Sequence, residues 1–134
     1  MKLQRIQNAA ARTVLGTKKR DHITPALIKL HWLPVKQRIL FKVLILTWKA
    51  LHNQAPGYIR DMLVPLVHTR SLRSSDQMLL CVPRTNLKSY GDRAFSVVAP
   101  RAWNDLPPEL KHQENREKFK SQLKTYLFHC AFES

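Results

Sequence analysis

Glycine and cysteine are scarce in this sequence, and each shortage excludes a kind of site. Only three glycines occur in 134 residues (Gly16, Gly57 and Gly91), and none lies in a loop of the kind that binds phosphate. The chain therefore has neither a P-loop nor a dinucleotide-binding fingerprint. The two cysteines, Cys81 and Cys130, are too far apart for a Cys-x-x-Cys motif. We interpret both thiols as small hydrophobic side chains and expect an intracellular protein of the nucleus or cytoplasm.

Acidic residues are also few, with nine against 23 lysines and arginines, which gives a formal net charge of +14. The imbalance is concentrated in residues 1–55, which hold eleven cations and a single acid, Asp21. A compact chain with this much like charge repels itself unless a polyanion neutralises it. Nucleic acid is the first partner that the composition indicates, and an anionic membrane surface is the second.

Long apolar segments are missing as well. The longest, Ile39–Leu46, includes Lys42 and is far below the ~20 residues that span a bilayer. The first residues, Met1–Arg5, are not followed by an apolar run, so no secretory signal is predicted. We therefore expect no membrane among the partners.

The titratable residues form no catalytic pattern. No two acids are adjacent, the six histidines have no metal-ligand spacing, and a serine nucleophile elbow is absent. Tyr90–Arg93 is similar to the polymerase-palm signature of an aromatic residue before two aspartates, but Arg93 replaces the second acid, and we interpret it as a turn. His129 and Cys130 point about 100° apart on a helix, so Cys130 is predicted to lie in the core. We predict no catalytic residue, no metal and no cofactor.

Helical periodicity is strong at both ends of the chain. The pattern predicts helices over Lys2–Leu15, from Thr24 to about Leu30, from Pro34 to about His52, and from Asn115 to Phe132. In the first helix one face is apolar and the opposite face carries Arg5, Asn8 and Arg12; the apolar face consists of Leu3, Ile6, Ala10, Thr13 and Val14.

The helix from Pro34 to His52 is apolar in nearly every direction. A helix of this kind is buried on most sides and is central to its domain. Its one coherent polar strip, about 40° wide at helical spacing, consists of Arg38, Lys42 and Lys49. We expect these three cations to be its exposed ridge.

The middle of the chain is weakly patterned. A short amphipathic piece is predicted over 58–63, a surface loop over 64–76, a strand over 78–83 and a turn over 106–110, whereas 94–103 fits a helix or extended chain equally well. The predicted fold is mostly α: a single helical domain around the central helix, with a loop-rich middle that can include a small β-hairpin near Met78–Val98. Its parts are a basic helical part (1–63), a loop and hairpin part (64–110) and a C-terminal helix (111–134).

Cations of the first half, together with two arginines of the middle loop, are the candidate nucleic-acid-binding residues. Solvated helix faces explain such residues when they occur singly, but several basic strips with one acid favour phosphate contact. The candidates are Arg5, Arg12, Lys18, Lys19, Arg20, Arg38, Lys42, Lys49, Arg70 and Arg73. Trp32, Trp48 and Trp103 are predicted to be core anchors, because each has apolar neighbours.

A series of motifs recurs in order over nearly the whole chain. The motifs are Leu3–Arg12, His22–Pro25, Leu30–Val35, Arg38–Ile39, Lys49–Leu51, Arg70–Ser74, Val82–Arg84, Gly91–Ser96, Ala99–Pro107 and Phe119–Phe128. Together they resemble the region that follows the polymerase palm in reverse transcriptases of LINE-type (non-LTR) retrotransposons.

The resemblance implies a non-catalytic, thumb-like C-terminal fragment that binds RNA or DNA backbone, since the family's catalytic aspartates lie upstream of this region. Two alternatives stay open from sequence. One is a protein–protein module that docks onto the polymerase part of the same polyprotein, and the other is a genomic remnant without a selected function.

Overall fold

The computed structural model describes residues 2–66, 78–83 and 94–133. Helices account for 66% of these residues, so the prediction of a mostly α fold is confirmed. The described residues form seven helices: α1 (Lys2–Leu15), α2 (Thr24–Leu30), α3 (Val35–Leu51), α4 (Gly57–Arg60), α5 (Phe95–Asn104), α6 (Pro108–Lys111) and α7 (Arg116–Phe132).

The predicted helices at both ends of the chain are confirmed. α1 has the predicted bounds and ends at Gly16, whose φ of 65° provides the left-handed conformation common at a helix C-terminus. α2 begins with Thr24 followed by a proline, but its N-cap residue is Ile23, which makes no side-chain capping bond. His31, with φ 55°, ends α2.

Two segments of the middle are more helical than the sequence indicates. The undecided segment 94–103 forms α5 and contains Pro100 inside the helix. The turn predicted over 106–110 becomes α6, with Pro108 in its first turn, a position where the missing N–H of proline costs no hydrogen bond.

A single β-bridge is present among the described residues and joins Pro65 to Leu80. The backbone N–H of Leu66 donates to Leu79 O (2.9 Å), and that of Cys81 donates to Val64 O (2.7 Å). The strand predicted over 78–83 is therefore reduced to this bridge, which joins it to 64–66 and not to 94–98, residues that belong largely to α5. The predicted turn at 90–93 and most of the predicted loop, 67–76, lie outside the described residues.

The chain divides into two compact units, whose bounds fall within α3 and α7. The first unit comprises Met1–Phe41 and Leu123–Ser134, and the second comprises Lys42–Gln122. The predicted division into three parts of one domain stays a prediction.

One buried cluster of the first unit joins α1 to α2 and includes two alanines. Ala11 of α1 is fully buried, and Ala26 and Leu27 of α2 are nearly so. Partly buried side chains pack against this cluster: Leu15, Ile23, Leu30, Trp32 and Phe132. Alanines allow helices to approach closely, so the cluster holds two helices together with little side-chain volume.

The core of the second unit is built on large aromatic rings. Trp48, Trp103 and Phe119 are all at most 1% exposed. The Phe119 ring centre lies 5.7 Å from that of Trp48 and 6.1 Å from that of Trp103. Each indole N–H is satisfied, since Trp48 Nε1 donates to Gln113 O (2.7 Å) and Trp103 Nε1 donates to Met78 O (3.0 Å). The prediction that these two tryptophans are core anchors is confirmed, whereas Trp32 is only half-buried.

Two predictions about burial are wrong. α3 is not buried on most sides: Ile39 is 48% exposed, and its fully buried residues are Leu44, Thr47, Trp48 and Ala50. Cys130 was predicted to lie in the core but is exposed near the end of α7. Phe119, Leu123 and Leu127 are buried along the same side of that helix, but Cys130 lies in its last turn, beyond the buried part of the stripe.

Candidate nucleic-acid interface

The interface begins with the orientation of α1, which differs from the prediction. The face expected in the core is exposed, with Leu3 58%, Ile6 65% and Val14 61% accessible, and the fully buried residue of the helix is Ala11. The buried face is therefore turned by about 110°, nearly a third of the helix circumference, from the face that hydrophobicity favours.

Two glutamines explain this orientation. Gln4 Oε1 accepts a hydrogen bond from the backbone N–H of Val35 (2.8 Å), and Gln7 Nε2 donates to Leu33 O (2.7 Å). These bonds satisfy backbone groups at the start of α3 and fix α1 against that segment. The signal in the sequence is the helical spacing of Gln4, Ala11 and Leu15, a mixed polar and small-residue stripe that a search for apolar residues overlooks.

The cations of α1 and of the turn after it line an open concavity of about 670 Å³. We call it the basic concavity. It lies entirely within the first unit. Its lining residues are Arg5, Asn8, Ala9, Arg12, Thr13, Gly16, Thr17 and Lys19.

Arg12 is the cation of the basic concavity whose side chain the protein itself helps to hold. It is half-buried, and its terminal guanidinium nitrogen donates to Asp21 O (3.3 Å). Its Nε is buried and has no hydrogen-bond partner. A guanidinium held in this way has lost part of its conformational freedom before any ligand binds, which lowers the entropic cost of contact.

The turn after α1 fixes the remaining cations. The N–H of Thr17 donates to Arg12 O (3.1 Å), and Asp21 closes the next turn through its own N–H to Lys18 O (3.1 Å). Asp21 Oδ2 in turn accepts from the backbone N–H of Lys18 (3.1 Å). The one acid of residues 1–55 is thus engaged with backbone, and it holds a turn on which Lys18, Lys19 and Arg20 are all exposed.

The structure brings only part of the predicted set together. Arg5, Arg12 and Lys19 line the basic concavity, and Lys18 and Arg20 flank Lys19 along the chain. The other predicted cations lie elsewhere: Arg38 lines a separate, mostly apolar groove, Lys42 and Lys49 belong to the second unit, and Arg70 and Arg73 lie outside the described residues.

The expected exposed ridge of α3 is also only partly present. Arg38 and Lys42 are exposed, but Lys49 is half-buried. Arg38 Nε donates to Leu33 O (3.0 Å), and its guanidinium carbon lies 6.0 Å from the centre of the Trp32 ring. Part of its donor capacity therefore serves the protein itself.

Two threonines of the basic concavity were missed by sequence reasoning. Thr13 was assigned to the apolar face, but it lines the concavity, and its hydroxyl donates to Ala9 O (3.0 Å). The hydroxyl oxygen keeps its capacity to accept hydrogen bonds. Thr17 follows the helix-ending Gly16 and lines the same surface. A hydroxyl at a helix end next to Lys and Arg is the signal that could have identified it.

The remaining chemistry of the described part of the chain is sparse. Within residues 2–66, 78–83 and 94–133, no three His, Cys, Asp or Glu side chains are grouped so as to hold a metal ion. No helix in these ranges is long and apolar enough to cross a membrane. Burial lowers the pKa of Lys111 below its usual value of 10.5, partly opposed by the charge of Asp105.

In comparisons with protein-family models, curated proteins and solved structures, none matched this chain. The resemblance to LINE-type reverse transcriptases is therefore one of sequence motifs alone.

Proposed function

We propose that this chain binds RNA or DNA through phosphate contacts in the basic concavity, without catalysing a reaction of its own. The observation that carries the proposal is that Arg5, Arg12 and Lys19 line one open surface together with hydroxyl and amide groups. Arginine forks and hydroxyls are the common protein partners of phosphate oxygens, whereas no base-reading element is evident.

The charge balance of the first unit supports this proposal. It carries ten lysines and arginines against two acids, Asp21 and Glu133. Asp21 Oδ2 accepts a hydrogen bond from backbone, and Glu133 pairs with His129. The cations of the concavity therefore have little internal neutralisation, and a polyanion would relieve their mutual repulsion.

The biological setting of this binding is proposed from the motifs. We infer a thumb-like, C-terminal fragment of a LINE-type reverse transcriptase that grips nucleic-acid backbone while the missing polymerase part performs the chemistry. The sequence offers no clustered carboxylates of the kind that hold two magnesium ions in polymerases.

Salt dependence tests the proposal. If about four to six phosphates are neutralised, the logarithm of the affinity for duplex should fall against the logarithm of salt concentration with a slope of roughly −4 to −5. The double variant Arg5→Gln/Lys19→Gln should flatten this slope by about 2 units. Fluorescence anisotropy with labelled duplex RNA and DNA at several salt concentrations measures both slopes.

A matched control distinguishes a defined binding site from non-specific electrostatic binding. Lys118→Gln/Lys124→Gln removes the same charge from exposed positions of α7. It should weaken binding clearly less than the concavity variant, with melting temperatures unchanged in both. Equal losses from the two doubles would mean that net charge alone drives binding, and a slope near zero in the unmodified protein would refute phosphate contact altogether.

A further inference from the structure

The exposed apolar face of α1 is part of a second groove, distinct from the basic concavity. One wall consists of Leu3, Ile6, Gln7 and Ala10 of α1, and the other consists of Trp32, Val35 and Arg38. The groove has a volume of about 350 Å³ and lies within the first unit. We call it the apolar groove.

The exposure of this face exceeds what scattered surface residues explain. Leu3, Ile6 and Val14 are each more than half exposed and recur at helical spacing along one side of α1. Single exposed aliphatic residues are ordinary, but an aligned row beside a concave wall is typical of a binding surface. Leu3 to Ala10 line the groove over about two helical turns, and Val14 extends the exposed row beyond it to about 16 Å, or three turns.

The shape of the groove favours a helix as its occupant. Two walls enclose a trough, and a trough accepts the ridge of side chains along a helix.

The charges at the margins define what such a helix must carry. Arg38 borders one wall, and the exposed Lys2 lies beside the apolar row of α1. The one acid of residues 1–55, Asp21, is bound to the Lys18 backbone. A second copy of this chain would bring the same excess of cations to the contact, so the complementary occupant has carboxylates on both sides of its apolar stripe.

We propose that the apolar groove binds an amphipathic helix of a partner protein, about three turns long, whose apolar stripe is flanked by Asp or Glu. The apolar side chains enter between α1 and the segment from Trp32 to Val35, and the carboxylates pair with Arg38 and Lys2. This proposal is independent of nucleic-acid binding, because it uses the opposite flank of α1 from Arg5 and Arg12.

A pair of synthetic helical peptides tests the proposal on the full chain. Both carry the same leucine stripe, flanked by glutamates in one peptide and by lysines in the other, and binding is measured by fluorescence anisotropy. The glutamate peptide should bind at least about tenfold more tightly than the lysine peptide. Ile6→Ser should weaken glutamate-peptide binding about tenfold or more at unchanged melting temperature, since the side chain is 65% exposed.

Two further variants sharpen the result. Arg38→Glu should shift the preference toward the lysine peptide, a gain that misfolding cannot produce. Arg5→Gln/Lys19→Gln should leave glutamate-peptide affinity within about threefold, while Ile6→Ser should leave nucleic-acid affinity within the same limit.

Several outcomes would overturn the proposal. Equal affinity for the two peptides, or no effect of Ile6→Ser, would show that the groove does not select an acidic helix. Binding to phosphatidylserine vesicles that Ile6→Ser abolishes, without peptide binding, would identify a lipid surface. Self-association in sedimentation experiments that the same substitution abolishes would identify a second copy of the chain as the occupant.

Discussion

The two compact units differ in the residues that they bury and in the surfaces that they expose. The second unit buries large rings, Trp48, Trp103 and Phe119, and satisfies their polar atoms with backbone partners. In the first unit a small cluster with two alanines joins α1 to α2, and hydrogen bonds from Gln4 and Gln7 fix α1. This unit leaves an apolar row and a set of cations exposed. The difference suggests that stability is concentrated in one unit and partner binding in the other.

Charge shows the same contrast. The first unit has ten cations for two acids, whereas the second has thirteen for seven. A surface with mixed signs is typical of a solvated domain, and a surface of nearly one sign indicates a charged partner. Substitutions in the two units should therefore differ in whether they change stability or binding.

The largest effect is expected at the centre of the aromatic core. Trp103→Ala removes a fully buried ring and the hydrogen bond to Met78 O, so it should cost about 3–5 kcal/mol of unfolding free energy. Trp32→Ala in the first unit should cost less than half as much, because that ring is only half-buried. Urea unfolding followed by circular dichroism measures both, and equal costs would contradict the proposed division of roles.

The next effect is expected at Asn104, whose side-chain amide pairs with the backbone of Leu80 as a neighbouring strand would. Asn104 Oδ1 accepts from Leu80 N–H and its Nδ2 donates to Leu80 O, both at 2.8 Å. Leu80 is 3% exposed, so Asn104→Ala leaves two buried backbone groups unsatisfied and should cost about 2–4 kcal/mol.

The control for this prediction keeps one of the two bonds. Asn104→Asp retains an acceptor for Leu80 N–H but sets a carboxylate oxygen against Leu80 O, so it should not restore stability. If Asn104→Ala were as stable as the unmodified protein, water would replace the amide. The two hydrogen bonds from Asn104 to Leu80 would then not contribute to stability.

Much of this architecture could be predicted from the sequence, because helix periodicity and end signals are local. α1 and α7 were found within a residue of their bounds, and Trp48 and Trp103 were identified as core. The orientation of α1 was not, since it depends on bonds from Gln4 and Gln7 to residues about 30 positions away. Long-range polar bonds of this kind have no periodic signature.

The candidate site was predicted only in part, because local sequence signals do not show which residues meet in space. Arg5, Arg12 and Lys19 could be selected by charge, but charge alone does not show which cations share a surface. Lys42 and Lys49 belong to the other unit, and Thr17 was overlooked because its role depends on the turn that Gly16 permits. The sequence pattern does not identify the bound partner.

A third effect tests the buried lysine of the second unit. Lys111 is 2% exposed, and its Nζ makes one long hydrogen bond, 3.4 Å, to Asn104 O. An apolar side chain of similar length removes the free-energy cost of burying a poorly paired ammonium. Lys111→Met should therefore be more stable than the unmodified protein near neutral pH by about 1–2 kcal/mol.

The pH dependence of that difference has a definite sign. Burial lowers the pKa of Lys111 in the folded chain below 10.5, so between the folded pKa and 10.5 the unfolded chain binds more protons. The unmodified protein therefore gains stability relative to Lys111→Met as pH rises through this window. A constant difference from pH 7 to 10.5, in paired denaturation curves, would mean that the ammonium is adequately solvated.

The smallest effect returns to the first unit, where Gly16 both ends α1 and lines the basic concavity. Its φ of 65° is left-handed, and an added Cβ would meet no atom within 4 Å. Gly16→Ala should therefore cost about 1 kcal/mol through backbone strain alone, and Gly16→Asn less, because asparagine tolerates this conformation. Because the added side chain displaces no neighbouring atom, the cations stay in place, and both variants should retain nucleic-acid affinity once folded. If Gly16→Ala weakened binding without lowering stability, phosphate would have to approach the glycine backbone itself, and the concavity would be a closer-fitting site than its side chains indicate.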